Sequence, residues 1–279
     1  MIPKIIHYCW FGGNPLPEFT QKCIASWRKY CPDYEIKEWN ENNFDLNCCD
    51  FVKEAYEAKK WAFVSDFARL KIIYEEGGIY LDTDVEVLKS FDTLLGNKCF
   101  LGEETTGFVN TGLGFGAEKN NPIIEELLEM YMGKHFKLED GTYDMLPCPR
   151  KNTEPLYRHG YKFSGAKIWS MEDVVVYPPE FFCPLNYETG KLCITDKTFS
   201  VHLYNASWRT WLDSLIVTIE RCDKEKHPIS YRFRRVVSFP FRVINKIRKI
   251  GVRKTVQVAK NKLRVVVQKS ERNSDTRLQ

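Results

Sequence analysis

No run of this 279-residue sequence approaches the roughly 18 apolar residues that a bilayer-spanning helix needs, which excludes such a helix as its organising element. The opening Met1-Ile2-Pro3-Lys4-Ile5-Ile6 lacks the basic and apolar regions of a secretory signal, so a cytosolic protein is expected. None of the ten cysteines falls in a Cys-x-x-Cys pair. The usual zinc and thioredoxin-type patterns are therefore missing, and reduced, mostly buried thiols are the expectation. Internal repeats and low-complexity tracts are missing as well. Acid is missing from one place in particular: residues 228–270 hold 13 Lys/Arg and no Asp or Glu.

The net charge of +4 therefore conceals a division. From Arg221 onward the balance is +14, while the preceding 220 residues carry −10. An acidic catalytic body over residues 1–215 and a basic extension over 216–279 are expected. Hydrophobic content of 43% with 14% aromatics suits a chain that buries a full core. Ile2–Trp10 reads as a buried strand ending at Phe11-Gly12-Gly13, Pro17–Tyr30 as a helix, and Tyr34–Trp39 as a second strand. Phe51–Glu76 reads as one long helix stopped by Gly77-Gly78, followed by a strand over Ile79–Val87. Further strands at Cys99–Glu103 and Gly107–Gly116, a helix over Pro122–Tyr131 and late strands near Val174 and Thr198 complete an α/β sheet with helices on its faces. Residues 133–165 read as loop with short elements.

Chemistry concentrates in Gly77-Gly78-Ile79-Tyr80-Leu81-Asp82-Thr83-Asp84-Val85 and in the preceding Ser65-Asp66-Phe67-Ala68-Arg69. Side chains two apart on a strand point the same way, with Cα atoms about 6.6 Å apart. Tyr80, Asp82 and Asp84 would share one strand face, and the two carboxylates suit Mn²⁺ or Mg²⁺ carrying phosphate oxygens. A solvated turn is the bland alternative. The double glycine is read as letting a ligand approach the backbone. Asp66 and Arg69, three apart on a helix, face one region: either a surface ion pair, or a carboxylate for sugar hydroxyls beside a guanidinium for diphosphate oxygens. His202 at a strand end is either structural or a third metal ligand. Trp208 offers an indole N–H and a broad face. Asn110, flanked by Thr111-Gly112, either satisfies a turn or points at a reacting sugar. Glu103 and Glu104 follow an apolar strand and are candidates for steering an acceptor.

Together, Ile5-Ile6-His7-Tyr8-Cys9-Trp10-Phe11-Gly12, Ser65-Asp66-x-x-Arg69, Gly77-Gly78-Ile79-Tyr80-Leu81-Asp82-x-Asp84 and His202…Ser207-Trp208 resemble the DXD-containing sugar-transferase family. That family includes yeast-type initiating mannosyltransferases, bacterial capsule and lipopolysaccharide transferases and, more distantly, clostridial glucosylating toxins. The resemblance covers about residues 1–210. It implies a GT-A fold (a Rossmann-like mixed sheet flanked by helices), a UDP- or GDP-linked donor, Mn²⁺ or Mg²⁺, and transfer with retention. It further implies that Trp10 stacks on the base and that Asp66 and Arg69 hold ribose and donor sugar, with Tyr80 beside them. Asp82 would contact ribose or metal-bound water, Asp84 would bind the metal, and Ser207 and Trp208 would close over the diphosphate.

The basic extension shows Phe239, Val243, Ile247 and Ile250 at helical spacing, beside Arg242, Lys246, Lys249 and Arg253. A second pattern runs Val252, Val256, Ala259, Leu263, Val266. Such helices either lie on an anionic membrane surface, or pack on the acidic body, or are simply solvated. The expectation is a glycosyltransferase on the inner face of the cell membrane, passing a hexose or N-acetylhexosamine to a glycan or lipid-linked oligosaccharide in bacterial surface polysaccharide synthesis. An effector that glycosylates a protein is the alternative. A nucleic-acid-binding protein is a third reading, disfavoured by the acidic constellation.

Overall fold

A computed structural model describes residues 1–163, 165–205, 211–222 and 226–248. The elements are β1 (Ile5–Cys9), α1 (Glu18–Tyr30), β2 (Glu35–Trp39), α2 (Asp50–Glu57), α3 (Trp61–Glu76), β3 (Gly78–Tyr80) and β4 (Val85–Val87). They continue with β5 (Cys99–Gly102), β6 (Phe115–Ala117), α4 (Pro122–Glu129), α5 (Cys148–Arg158), β7 (Trp169–Met171), β8 (Val174–Tyr177), α6 (Pro179–Phe182), β9 (Ser200–His202) and α7 (Trp211–Glu220).

Seven strands form one mixed sheet in the order β2-β1-β3-β6-β5-β8-β7, and β4 with β9 forms a separate pair. β1 runs parallel to β2 and β3, and β6 is antiparallel to both β3 and β5. This is the Rossmann-like mixed sheet flanked by helices expected of a GT-A fold. Strand side chains alternate between two buried clusters. Ile79 and Phe100 join Trp27, Tyr34, Phe91 and Phe182 on one face. Tyr80, Cys99 and Leu101 join Phe51, Phe67, Tyr131 and Phe136 on the other. α3 lies across β1, β3 and β6, so its polar residues can reach the ends of the parallel strands.

Two expected elements are divided. The helix expected over 51–76 breaks after Glu57, where Lys59 adopts φ 57°. Lys60 N–H donates to Ala55 O at 2.9 Å and Lys59 N–H to Tyr56 O at 2.8 Å, the paired bonds of a Schellman end with lysine where glycine is usual. The strand expected over 79–87 ends at Tyr80, and the chain turns before re-entering a different sheet at Val85. The double glycine also has another purpose. A Cβ at Gly78 would meet His7 Nε2 and Ile5 O, each at 2.9 Å, so its bareness admits β1 and its histidine, not a ligand. Within 133–165, α5 is a helix of three turns that periodicity did not disclose.

The chain separates into Met1–Tyr187 with Lys191–Trp208, and Glu188–Gly190 with Arg209–Gln279. In the second unit residues 228–248 are helical. They meet α7 through polar groups: Ser238 donates to Glu220, Arg242 pairs with Glu220 at 3.2 Å, and Asn245 donates to Asp213 at 2.6 Å. Ile229, Phe233, Val236, Phe239 and Ile244 are exposed. Ile250, Lys249, Arg253 and the pattern from Val252 to Val266 lie outside the described residues. Among those described, no helix is long and apolar enough to cross a membrane. Six of the ten cysteines are buried.

Candidate active site

Asp82 and Asp84 lie on the turn between β3 and β4 and not, as the alternation suggested, on one strand face. Val85 N–H closes that turn on Asp82 O at 3.0 Å. What holds it is packing beneath: Trp27 Nε1 on α1 donates to Val85 O at 2.8 Å, and Val87 N–H donates to Ser26 Oγ at 2.9 Å. Pairing of β4 with β9 then sets Val85 opposite His202. Leu203 N–H donates to Asp84 O and Asn205 N–H to Asp84 Oδ2, both at 2.9 Å. The imidazole is thereby delivered to the carboxylates from 118 residues away in sequence.

His202 Nε2 lies 3.2 Å from Asp84 Oδ1 and 3.9 Å from Asp82 Oδ2. One donor atom from each of Asp82, Asp84 and His202 falls within 4.8 Å of the others. Two carboxylates and an imidazole are a donor set for a divalent ion of the Mn²⁺ type. His202 is 8% exposed, and its Nδ1 is buried without a hydrogen-bond partner. The electrostatics fit the same group. Burial pushes Asp82 up to about 6 against the pull of Arg69, with Asp84 adding to the rise. Burial also opposes the charge on Asp84, but the His202 imidazolium and the Asn205 N–H outweigh it and hold the carboxyl below its usual range. His202 is raised because the same carboxylates overcome its burial. Arg69 is one counter-charge for these two acids, and a divalent ion among Asp82, Asp84 and His202 would be another.

Behind them, Arg69 is 3% exposed, so the surface ion-pair alternative fails. Its Nη2 lies 3.1 Å from Asp66 Oδ1 and 2.9 Å from Asp82 Oδ1. Tyr80 OH donates to the same Asp82 oxygen at 3.1 Å, and the guanidinium stacks over the Tyr80 ring at 5.1 Å. Asp82 thus spends Oδ1 on Arg69 and Tyr80 and turns Oδ2 towards His202. Burial raises Asp66 despite Arg69.

Asn110 stands on the other side. Its Nδ2 donates to Glu104 Oε1 at 2.7 Å, and its Oδ1 accepts from Gly112 N–H at 2.7 Å. Cys148 Sγ lies 3.7 Å from Asn110 Oδ1 and 3.6 Å from Arg69 Nη1, joining the two groups. Glu103 and Glu104 part company here. Glu103 is fully buried and accepts from Tyr161 OH at 2.7 Å, while Glu104 stays with Asn110. Trp10 follows the carboxyl end of β1, half-buried, its Nε1 donating to Asn14 O at 2.6 Å. β1 and β3 are parallel, so their carboxyl ends open at one edge of the sheet, where open α/β sheets bind ligands. Ser207 and Trp208 lie outside the described residues.

Sequence reasoning missed Cys148, Gly112 and Tyr204, whose ring meets His202 edge-on at 4.3 Å. No periodic or motif signal marks any of the three. A separate cavity of about 680 Å³, lined by His135, Lys137, Leu138, Asp144 and Lys151 among others, includes none of the site residues.

Residues 17–101 match the family model described as a glycosyltransferase sugar-binding region containing a DXD motif. Inositol phosphoceramide mannosyltransferase 1 of Schizosaccharomyces pombe is 25% identical over 234 residues, covering 80% of this chain and 67% of that protein. Toxin Afp18 of Yersinia ruckeri is 33% identical over 116 residues, 39% of this chain but 5% of the toxin. The chain therefore spans about two thirds of the first and a small fraction of the second. Among solved structures, the PaToxG glycosyltransferase aligns at a TM-score of 0.45 with 20% identity, over 57% of this chain and 70% of that one. Residues 17–101, which include Asp82-Thr83-Asp84, are thus similar to the sugar-binding region of DXD glycosyltransferases.

Proposed function

We propose that the chain moves a hexose or N-acetylhexosamine from a UDP- or GDP-linked donor to a glycan acceptor, with Mn²⁺ or Mg²⁺ held by Asp84, His202 and Asp82. The observation that carries this reading is the convergence of those three side chains beside the buried Asp66–Arg69 pair. When bound, the ion supplies Lewis-acid stabilisation of the departing diphosphate. Arg69 adds positive charge held in place by its ion pairs with Asp66 and Asp82. Asp66 accepts from hydroxyls of the donor. Asn110, its amide oriented by Glu104 and Gly112, fixes the sugar's reacting face. Trp10 covers the base, and Ser207 and Trp208 approach the diphosphate from the C-terminal side.

Transfer proceeds with retention by a front-face route. The bond from anomeric carbon to phosphate oxygen breaks with its electron pair staying on the diphosphate. The acceptor hydroxyl oxygen bonds to the same face, and its proton passes to the departing phosphate. Asp66 and Asp82 each give one carboxylate oxygen to Arg69, and that pairing weakens both as nucleophiles.

A lipid-borne acceptor is favoured by the match to an inositol phosphoceramide mannosyltransferase over 80% of the chain. The helix over 228–248 supports a place at the anionic inner face of a membrane, because Ile229, Phe233, Val236 and Ile244 are exposed beside Arg232 and Arg235. A bacterial surface polysaccharide precursor is the acceptor of that class we propose. The match to a toxin over 116 residues favours a second reading, with protein as acceptor. The test is a panel of nucleotide sugars assayed for Mn²⁺-dependent hydrolysis and thermal stabilisation, with lipid-linked oligosaccharide and protein acceptors in parallel. One preferred donor, lost in Asp84→Asn, is expected; a variant equal to the parent would remove Asp84 from the mechanism.

A further inference from the structure

Three consecutive residues of the loop that carries Asn110 are each held by a different side chain of α5. Val109 N–H donates to Thr153 Oγ1 at 2.8 Å. Thr111 Oγ1 accepts from Asn152 Nδ2 at 2.9 Å. Cys148 Sγ reaches Asn110 Oδ1 at 3.7 Å. Positions 148 and 152 stand at i and i+4 on one face of the helix, and 153 lies about 100° further round, so the loop is gripped from two directions. All three are buried, Thr153 and Asn152 almost completely. The Thr153 hydroxyl is itself oriented, because it donates to Pro149 O at 2.6 Å and so presents a lone pair to Val109.

A helix that buries a Thr-Asn pair gives up apolar burial, and polar groups inside a fold are kept only when satisfied. Here the Thr153 hydroxyl and the Asn152 amide N–H each satisfy one point of residues 109–111, while Asn152 Oδ1 is buried without a hydrogen-bond partner. The same segment runs on to Gly112, whose Cα lies so close to Asp82 that a Cβ would stand 2.3 Å from Asp82 Oδ2 and 3.0 Å from Asn110 Oδ1. Whatever fixes 109–112 therefore fixes the spacing between Asn110 and the first DXD aspartate.

We propose that α5 is a clamp, in which Thr153 and Asn152 are positioning residues that set Asn110 and Gly112 against Asp82. The proposal rests on the transferase reading for what Asn110 touches, namely donor sugar and not diphosphate. Neither Thr153 nor Asn152 contacts substrate. Releasing the clamp then penalises the sugar more than the nucleotide.

The test compares Thr153→Val, which keeps shape but loses the acceptor, with Thr153→Ser, which restores it, and with Asn152→Ala. In Thr153→Val, kcat/KM for the preferred nucleotide sugar should fall about ten-fold or more, as expected for a displaced reacting group. Affinity for the matching nucleoside diphosphate with Mn²⁺ should stay within about two-fold, and Thr153→Ser should recover most of the loss. Amide hydrogen exchange over 109–112 should accelerate in Thr153→Val and Asn152→Ala while α3 and β1 stay protected. Equal losses in sugar and diphosphate binding, or failure of serine to rescue, would reduce α5 to ordinary packing. Unchanged exchange over 109–112 would overturn the clamp irrespective of activity. Absence of donor turnover by the parent protein would instead sink the transferase reading and leave the exchange result to decide the clamp.

Discussion

A methyl group added at Gly112 lands 2.3 Å from Asp82 Oδ2, about 0.9 Å inside the roughly 3.2 Å at which carbon and oxygen ordinarily touch. A flexible carboxylate elsewhere would swing aside at little cost. This one is anchored through Oδ1 to Arg69 at 2.9 Å and Tyr80 at 3.1 Å, so yielding means breaking those bonds or moving the loop. Overpacking of this kind typically costs 1–3 kcal/mol of stability, and we expect Gly112→Ala to lose about 2 kcal/mol. A displacement approaching 1 Å at a reacting centre is worth about 100-fold in rate, so kcat/KM for the donor should fall by about that factor. Gly96→Ala, which meets nothing within 4 Å, is the control and should match the parent in both measures. The assay is Mn²⁺-dependent donor turnover alongside urea unfolding. Activity of Gly112→Ala within about three-fold of the parent, with stability down as expected, would show that the position of Asp82 is not critical and refute the reasoning.

Asp84→Asn removes one charge from the cluster and should abolish Mn²⁺-dependent stabilisation in a thermal shift; retained stabilisation would place the ion elsewhere. Arg69→Met keeps bulk but leaves the buried Asp66 without its counter-charge and takes the guanidinium from the half-buried Asp82, which should destabilise by about 3 kcal/mol, read by urea unfolding. His7 is lowered to about 4 by burial, partly offset by its bond to Gly77 O, whereas an unfolded histidine titrates near 6.5. The unfolded state thus binds more protons between those values. The stabilisation from His7 is complete above about 6.5 and is lost as pH falls towards 4, about 3 kcal/mol in all. Between pH 7 and pH 5, His7→Gln should show about 2 kcal/mol less acid destabilisation than the parent; parallel profiles would exclude His7 as the source. Truncation after residue 227 should leave solution turnover intact and remove sedimentation with anionic vesicles, while loss of both would tie residues 228–279 to catalysis.

The parts of the site that were legible are those whose signal is local. Asp66 and Arg69 show at helical spacing, set among the apolar Ala62, Phe63, Phe67 and Leu70. The turn at 82–84 was misread as strand because apolar residues alternate on both sides of it. The alternation belongs to two strands in two sheets, and Trp27 and Ser26, some sixty residues earlier, help to hold the second of them in place. His202 was visible at a strand end, but its meeting with Asp84 follows from pairing across more than a hundred residues, to which periodicity is blind. Lys59 ended a helix where no glycine announced it. α5 escaped for a more instructive reason. Its buried face mixes Cys148, Pro155 and Leu156 with Lys151, Asn152 and Thr153, and a segment so rich in proline and charge reads as loop. A face built of hydrogen-bonding groups is the kind that positions a loop. The element hardest to see in the sequence is accordingly the one whose removal should be felt most selectively at Asn110.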